Sequence, residues 1–292
     1  MKNLFLILIS ALFIGCADQE HVAPSDKPLV FVSIPPQAGL LRAIAGDQLD
    51  IRTLAGEGQS PHAYEPTARQ LTALSKADLL FTIGIPFEKS LLNKIKPLYP
   101  ELTIIETDAQ IIKRTMPHAH HGEHCDHEHG AKDPHVWLSP RHALVIASTM
   151  YETLQQRDPD NLPLYLENFN QLTEKLEQLH SDTTEQIAPY KNSRFYVFHP
   201  SYGYFADQYD LEQVPIELDG KAPSPRQLAD LIEQAQTDGV KVIFVSKQFP
   251  KGSANAVAKA IGGRVVQLDP LAEDVVANLR KIAESIVLEL EP

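Results

Sequence analysis

"LPLYLENFNQLTEKLEQLHSDTTEQIA", residues 162–188, decides how this chain is organised. Beyond Pro163 the stretch has neither Gly nor Pro. Leu162, Tyr165, Leu166, Phe169, Leu172, Leu176 and Leu179 recur at intervals of three and four, the period of a helix with one apolar stripe. About 26 residues rising 1.5 Å each make a rod of roughly 39 Å, long enough to run from one domain to another. A long core helix within a single domain has the same periodicity, so the flanking sequence has to arbitrate.

On the N-terminal side, short apolar runs alternate with helical patterns. "LVFVSI" (29–34), "LDIRTL" (49–54), "LLFTIGI" (79–85) and "TIIET" (103–107) read as strands. "AGLLRAIAG" and "TARQLTALSKA" read as the helices between them, and Ser139-Pro140 caps another. On the C-terminal side the style repeats. "RFYVFH", "VKVIFVS" and "RVVQLDP" are strand-like, while "SPRQLADLIEQAQTDG", "SANAVAKAIGG" and a stretch from about Glu273 are helix-like. The expected fold is α/β: two lobes of parallel sheet flanked by helices and joined by one long rigid helix. The lobes span 29–158 and 191–292, with the linking helix at 159–190; no internal sequence repeat supports them.

Residues 1–15 differ from the rest. Lys2 precedes the apolar run "LFLILISALFI", which is too short to span a bilayer and reads as an export signal. Its end, "LFIGC", resembles a bacterial lipobox, with Phe13 where Leu is commonest, so Cys16 is the expected lipid attachment site. Residues 16–28 are polar and contain two prolines, as in a tether. The other cysteine, Cys125, then has no partner within the chain, so the core alone must stabilise the exported protein. A net charge of −12, one unit more negative once Lys2 is removed, argues against nucleic acid and favours cations as partners.

Ligand-type residues occur in four settings. His62 lies in the loop "GQSPHAYEP", His135 in "DPHVWLSP" before a helix, and His199 and Asp269 at strand ends in "FYVFH" and "VVQLD". The carboxyl ends of parallel strands are where ligands bind. Singly, each has an ordinary reading: a solvated loop histidine, or an Asp-Pro turn.

Together, "SPHAYEP", "DPHVWLSP", "FHPSYGYF" and "LDPLAE" resemble, in order and spacing, the zinc and manganese solute-binding proteins of bacterial ABC importers (ZnuA/TroA-like, cluster A-I). The resemblance covers nearly the whole mature chain. It implies a zinc-binding receptor, not an enzyme, located in the periplasm or at the cell surface and held to the membrane by its lipid. It would act as a monomer and deliver Zn(II) to an ABC permease. It implies His62, His135, His199 and Asp269 as the ligands, with Glu57 or a water as rivals for the fourth place. Manganese carriers of this family commonly have Glu where His199 stands, and imidazole suits zinc. Lys247 departs from the family, in a position often acidic, and receives no role. Neutral imidazoles are needed for binding, which puts the loss of affinity below about pH 6.5, their free pKa.

Between Met116 and Lys132, His118, His120, His121, His124, His127 and His129 accompany Glu123, Cys125, Asp126 and Glu128. This stretch resembles the His- and acid-rich loop of zinc-type members, a low-affinity collector that has too little apolar surface to pack. The alternatives are a manganese or iron carrier of the same family, a free-standing zinc-buffering lipoprotein, and, least favoured, a zinc hydrolase. The last lacks H-E-x-x-H or an equivalent motif.

Overall fold

Two short apolar runs, Leu29–Val32 (β1) and Leu79–Thr82 (β3), form the middle of a parallel sheet, where both faces are covered. Their neighbours, Asp50–Thr53 (β2) and Thr103–Glu106 (β4), are partly exposed edge strands and admit charge. That difference in position explains why "LVFV" and "LLFT" carry no charge and are almost wholly apolar while "DIRT" is not. The order is β2-β1-β3-β4, all parallel. The computed structural model describes residues 27–116, 131–217, 224–248 and 252–291. Cys16, the export signal 1–15 and the clustered histidines His118, His120, His121, His124, His127 and His129 lie outside the described residues.

Connecting the first sheet are Pro35–Ala45 (α1), Ala68–Leu74 (α2) and Pro86–Ile95 (α3). The spacing of "PFEKSLLNKI" did not announce α3. It starts at a proline, and Glu88 folds back to accept from the backbone N–H groups of Ile83, Gly84 and Ile85 at 2.9, 2.7 and 3.2 Å. Burial pushes the Glu88 carboxyl up to about 7 against the pull of those N–H groups. Pro140–Arg157 (α4) begins as its sequence predicts, with the Ser139 hydroxyl accepting from His142 N and Pro140 at the first position.

Leu162–Ile187 (α5) is the long helix. Tyr165, Leu172, Leu176, Leu179, Thr183 and Ile187 form its buried stripe, while Leu166 falls outside it and is exposed. The stripe packs on α1 and α4 of the first lobe and on the final helix, Val275–Leu290 (α9). Removing one of these leucines, as in Leu176→Ala, would cost about 2–5 kcal/mol of stability.

The second sheet contains Arg194–Val197 (β5), Glu212–Pro215 (β6), Val242–Ser246 (β7) and Arg264–Leu268 (β8), parallel in the order β6-β5-β7-β8. The strand order matches the first sheet, a repeat of architecture with no repeat of sequence. Gly203–Gln208 (α6), Pro225–Thr237 (α7) and Gly252–Ala260 (α8) complete the lobe. Neither α6 nor β6 was legible: one has six residues, and the other is a polar edge strand, "EQVP".

The second sheet shows the two-residue period of a strand buried on both faces. Phe195, Val197, Val242 and Phe244 join the large core shared with the first lobe, α5 and α9. Tyr196, Phe198, Ile243 and Val245 face a separate core with Ala254, Val257 and Ile261 of α8 and its end. The lobes also meet where α1 passes the residues leading into α9. A Cβ on Gly39 would come within 1.8 Å of the Glu273 carbonyl oxygen, so only glycine allows that approach.

Candidate metal centre

Three loops at the carboxyl ends of strands converge between the lobes. His62 follows β2, His199 lies two residues beyond β5, and His135 precedes the short 3-10 turn Val136–Leu138. His62 Nε2 lies 3.3 Å from His135 Nε2 and 3.2 Å from His199 Nε2. His135 and His199 are buried, whereas His62 is the exposed member.

What these nitrogens can do depends on where their protons are. His135 Nδ1 is 2.8 Å from Asp133 Oδ1, and the same oxygen accepts from the His135 backbone N–H at 3.0 Å. His199 Nδ1 is 3.2 Å from Glu217 Oε2. Both carboxylates are buried and placed to accept, which assigns the ring proton to Nδ1 in each histidine. Each Nε2 is then a bare lone pair facing the same point. Asp133 is itself held: Arg114 approaches its other oxygen at 3.8 Å, and its backbone carbonyl accepts from the Tyr204 hydroxyl at 2.8 Å.

Electrostatics disfavour a charge on His62 and His135. Desolvation, followed by the neighbouring charges of His135 and His199, pushes His62 down to about 3. Although the residue is exposed, the Nε2 end of the His62 ring is crowded by the other two imidazoles. Burial lowers His135 as well, with Asp133 pulling the other way.

Zinc–nitrogen bonds of 2.0–2.1 Å in tetrahedral geometry separate ligand atoms by about 3.3 Å. The 3.2 and 3.3 Å separations match that edge. The cavity beside the imidazoles has a volume of about 20 Å³ and is lined by Ser60, Trp137, Ser201, Gln248 and Leu271 besides the histidines. It has room for one water-sized body and excludes an organic solute. A larger groove of about 760 Å³ between α1, α5 and α9 is lined by Arg42, Glu273 and Arg280 and contains no histidine. The cleft is also bridged directly, because the Trp137 indole N–H donates to the Pro270 carbonyl across it at 2.7 Å.

Among the described residues, the metal-ligand atoms that converge are those of His62, His135 and His199. Asp269, expected as the fourth ligand, lies apart from them. Its Oδ1 accepts from Leu271 N at 3.0 Å and from Gln248 Nε2 at 3.2 Å, and its Oδ2 pairs with Lys247 Nζ at 3.0 Å. Glu57, its rival, is largely exposed and lies 4.0 Å from the same ammonium. Lys247, given no role from sequence, is therefore the cation that occupies both acids. His142 and His180, read as exposed, are half-buried: His142 packs edge-on to Tyr204, and Gln208 bonds to His180. Sequence reasoning missed the orienting carboxylates. Asp133, two residues before His135, was open to discovery; Glu217, eighteen residues after His199, carried no local signal.

A family model described as "Zinc-uptake complex component A periplasmic" matches residues 30–287. Among curated relatives, the zinc-binding protein AdcA of Streptococcus pyogenes serotype M3 (strain ATCC BAA-595 / MGAS315) is 27% identical over 290 residues, which is 93% of this chain and 56% of AdcA. The zinc-binding lipoprotein AdcA of Streptococcus pneumoniae (strain ATCC BAA-255 / R6) is 28% identical over 309 residues, covering 100% of this chain and 59% of the relative. The chain thus spans a little over half the length of these relatives. A crystal structure of ZnuA superposes with a TM-score of 0.84 at 36% identity, covering 91% of this chain and 100% of that one.

Proposed function

The chain belongs to the family of periplasmic zinc-uptake components A, and from that premise we propose that it is an extracytoplasmic receptor that binds one Zn(II) between its lobes and delivers it to an ABC permease. The observation that carries this reading is the convergence of three imidazole Nε2 atoms, two of them turned inward by buried carboxylates, with the separations of His62 from the other two at the edge length of a tetrahedral zinc site. Zinc is the cargo, so the protein is a binder and not a catalyst. Nitrogen ligands favour it over manganese, which prefers carboxylate oxygens.

His62, His135 and His199 would hold the ion. Cys16 would carry the lipid that keeps the monomeric receptor at the membrane, as the name of the pneumococcal relative suggests. The six histidines from His118 to His129 would collect zinc weakly and pass it inward. Metal analysis of the dialysed full-length protein, with competition against a chelator of known affinity, tests the reading. One tightly held zinc per chain is expected, and a chain that retains manganese in preference to zinc would overturn it.

A further inference from the structure

We propose that Gln248 and Ser201 position the solvent molecule that completes the coordination of a metal held by the three histidines, and that Asp269 and Lys247 act by orienting Gln248. The inference rests on the zinc-receptor reading and adds positioning residues to it.

Two buried oxygens on the cavity wall carry it. Gln248 Oε1 and Ser201 Oγ are both inaccessible to solvent and find no hydrogen-bond partner among the described residues. Buried acceptors are seldom left unmatched. The orientation of the Gln248 amide is set by its neighbour. Its Nε2 donates to Asp269 Oδ1, and a flipped amide would put carbonyl oxygen against carboxylate oxygen. Asp269 is fixed in turn by Leu271 N and by the Lys247 ammonium, which pairs with its other oxygen. Fixing the nitrogen of the amide leaves its carbonyl oxygen as the part of Gln248 without a partner.

The chemistry needs such a pair. Three neutral imidazoles leave the charge of the ion undiminished, and zinc strongly acidifies the water it binds. That water has two hydrogens to donate, and the site supplies two acceptors. A neutral amide oxygen is a poor ligand for zinc itself, which favours nitrogen, sulfur and carboxylate. Here Asp269 contributes at one remove, through an amide.

A double-mutant cycle tests this on the full-length chain. Zinc affinity by chelator competition would be measured for wild type, Gln248→Leu, Asp269→Ala, the double variant and Ser201→Ala, with the visible spectrum of bound Co(II) as a coordination readout. Loss of an outer partner of a metal site typically weakens binding ten- to a hundredfold. Gln248→Leu and Asp269→Ala should each weaken zinc about tenfold, and the double variant should lose no more than either alone. The cobalt spectrum should shift in each, with the melting temperature of the metal-free protein unchanged, a pattern a merely structural role would not produce. Unchanged affinity in both Gln248→Leu and Ser201→Ala overturns the inference. Fully multiplicative losses in the double variant also overturn it, because Asp269 would then act independently of Gln248. If wild type itself holds no zinc, the receptor reading fails instead.

Discussion

The two walls of the candidate metal centre are built differently. On one, His135 and His199 are buried, and each Nδ1 rests on a carboxylate that is buried in turn. On the other, His62 is exposed and sits in a loop with short-range hydrogen bonds of its own, Ala63 N to Ser60 O and Gly56 N to the Gln59 side chain, and no carboxylate among the described residues partners its ring. The contrast teaches that the buried pair is the fixed part of the candidate site and His62 its exposed edge, so the pair would set the position of an ion and His62 would close over it. Exchange of metal with solvent should then pass the His62 side, without parting of the lobes.

Removing a member of the buried pair should have the largest effect. His135→Ala or His199→Ala is expected to weaken zinc by more than the ten- to hundredfold seen for outer partners. His62→Ala should lose about tenfold, mainly as faster release. Equal losses at all three positions, measured by competition and stopped-flow release, would erase the distinction between the walls. Next come the carboxylates: Asp133→Asn and Glu217→Gln should each lower affinity by about ten- to a hundredfold. Effects much smaller than that would mean packing alone orients the rings.

A gentler probe is pH. With His62 at about 3 and His135 lowered, the native protein stays unprotonated at these sites while an unfolded chain takes up protons below about 6.5. Their contribution to the metal-free protein is therefore fully present above 6.5, and stability declines as pH falls from there toward 3. Thermal melts across that range should show the decline, and His62→Ala should flatten it. The same depression moves the onset of zinc loss below the value of 6.5 expected from free imidazole, which a metal-retention titration would register. Smallest of all, deleting residues 118–129 should leave the tight ion in place and remove only weaker, additional zinc.

Much of the fold was legible because buried parallel strands and a long amphipathic helix write their periods plainly, as "LLFT" and the α5 stripe do. What escaped had no period to display: α6 is under two turns, and β6 is an edge strand of polar residues. The three histidines were found through motifs whose order resembles a family, and their meeting point needed the fold. Asp269 marks what the motif leaves open. The strand-end carboxylate is hydrogen-bonded by the Leu271 amide and paired with Lys247, and neither partner is evident from the motif "LDPLAE".

Trp137 gives the molecule an optical property. It is the chain's one tryptophan, almost wholly buried, with its ring 5.5 Å from that of His135 and its N–H bonded across the cleft to Pro270. All indole emission therefore originates beside the candidate metal site. The colour of that emission tracks water reaching the indole if the lobes separate, whereas its intensity tracks what happens at the adjacent imidazole. A single unlabelled fluorophore would thus tell metal arrival at the imidazoles from any parting of the lobes, which a binding isotherm cannot do.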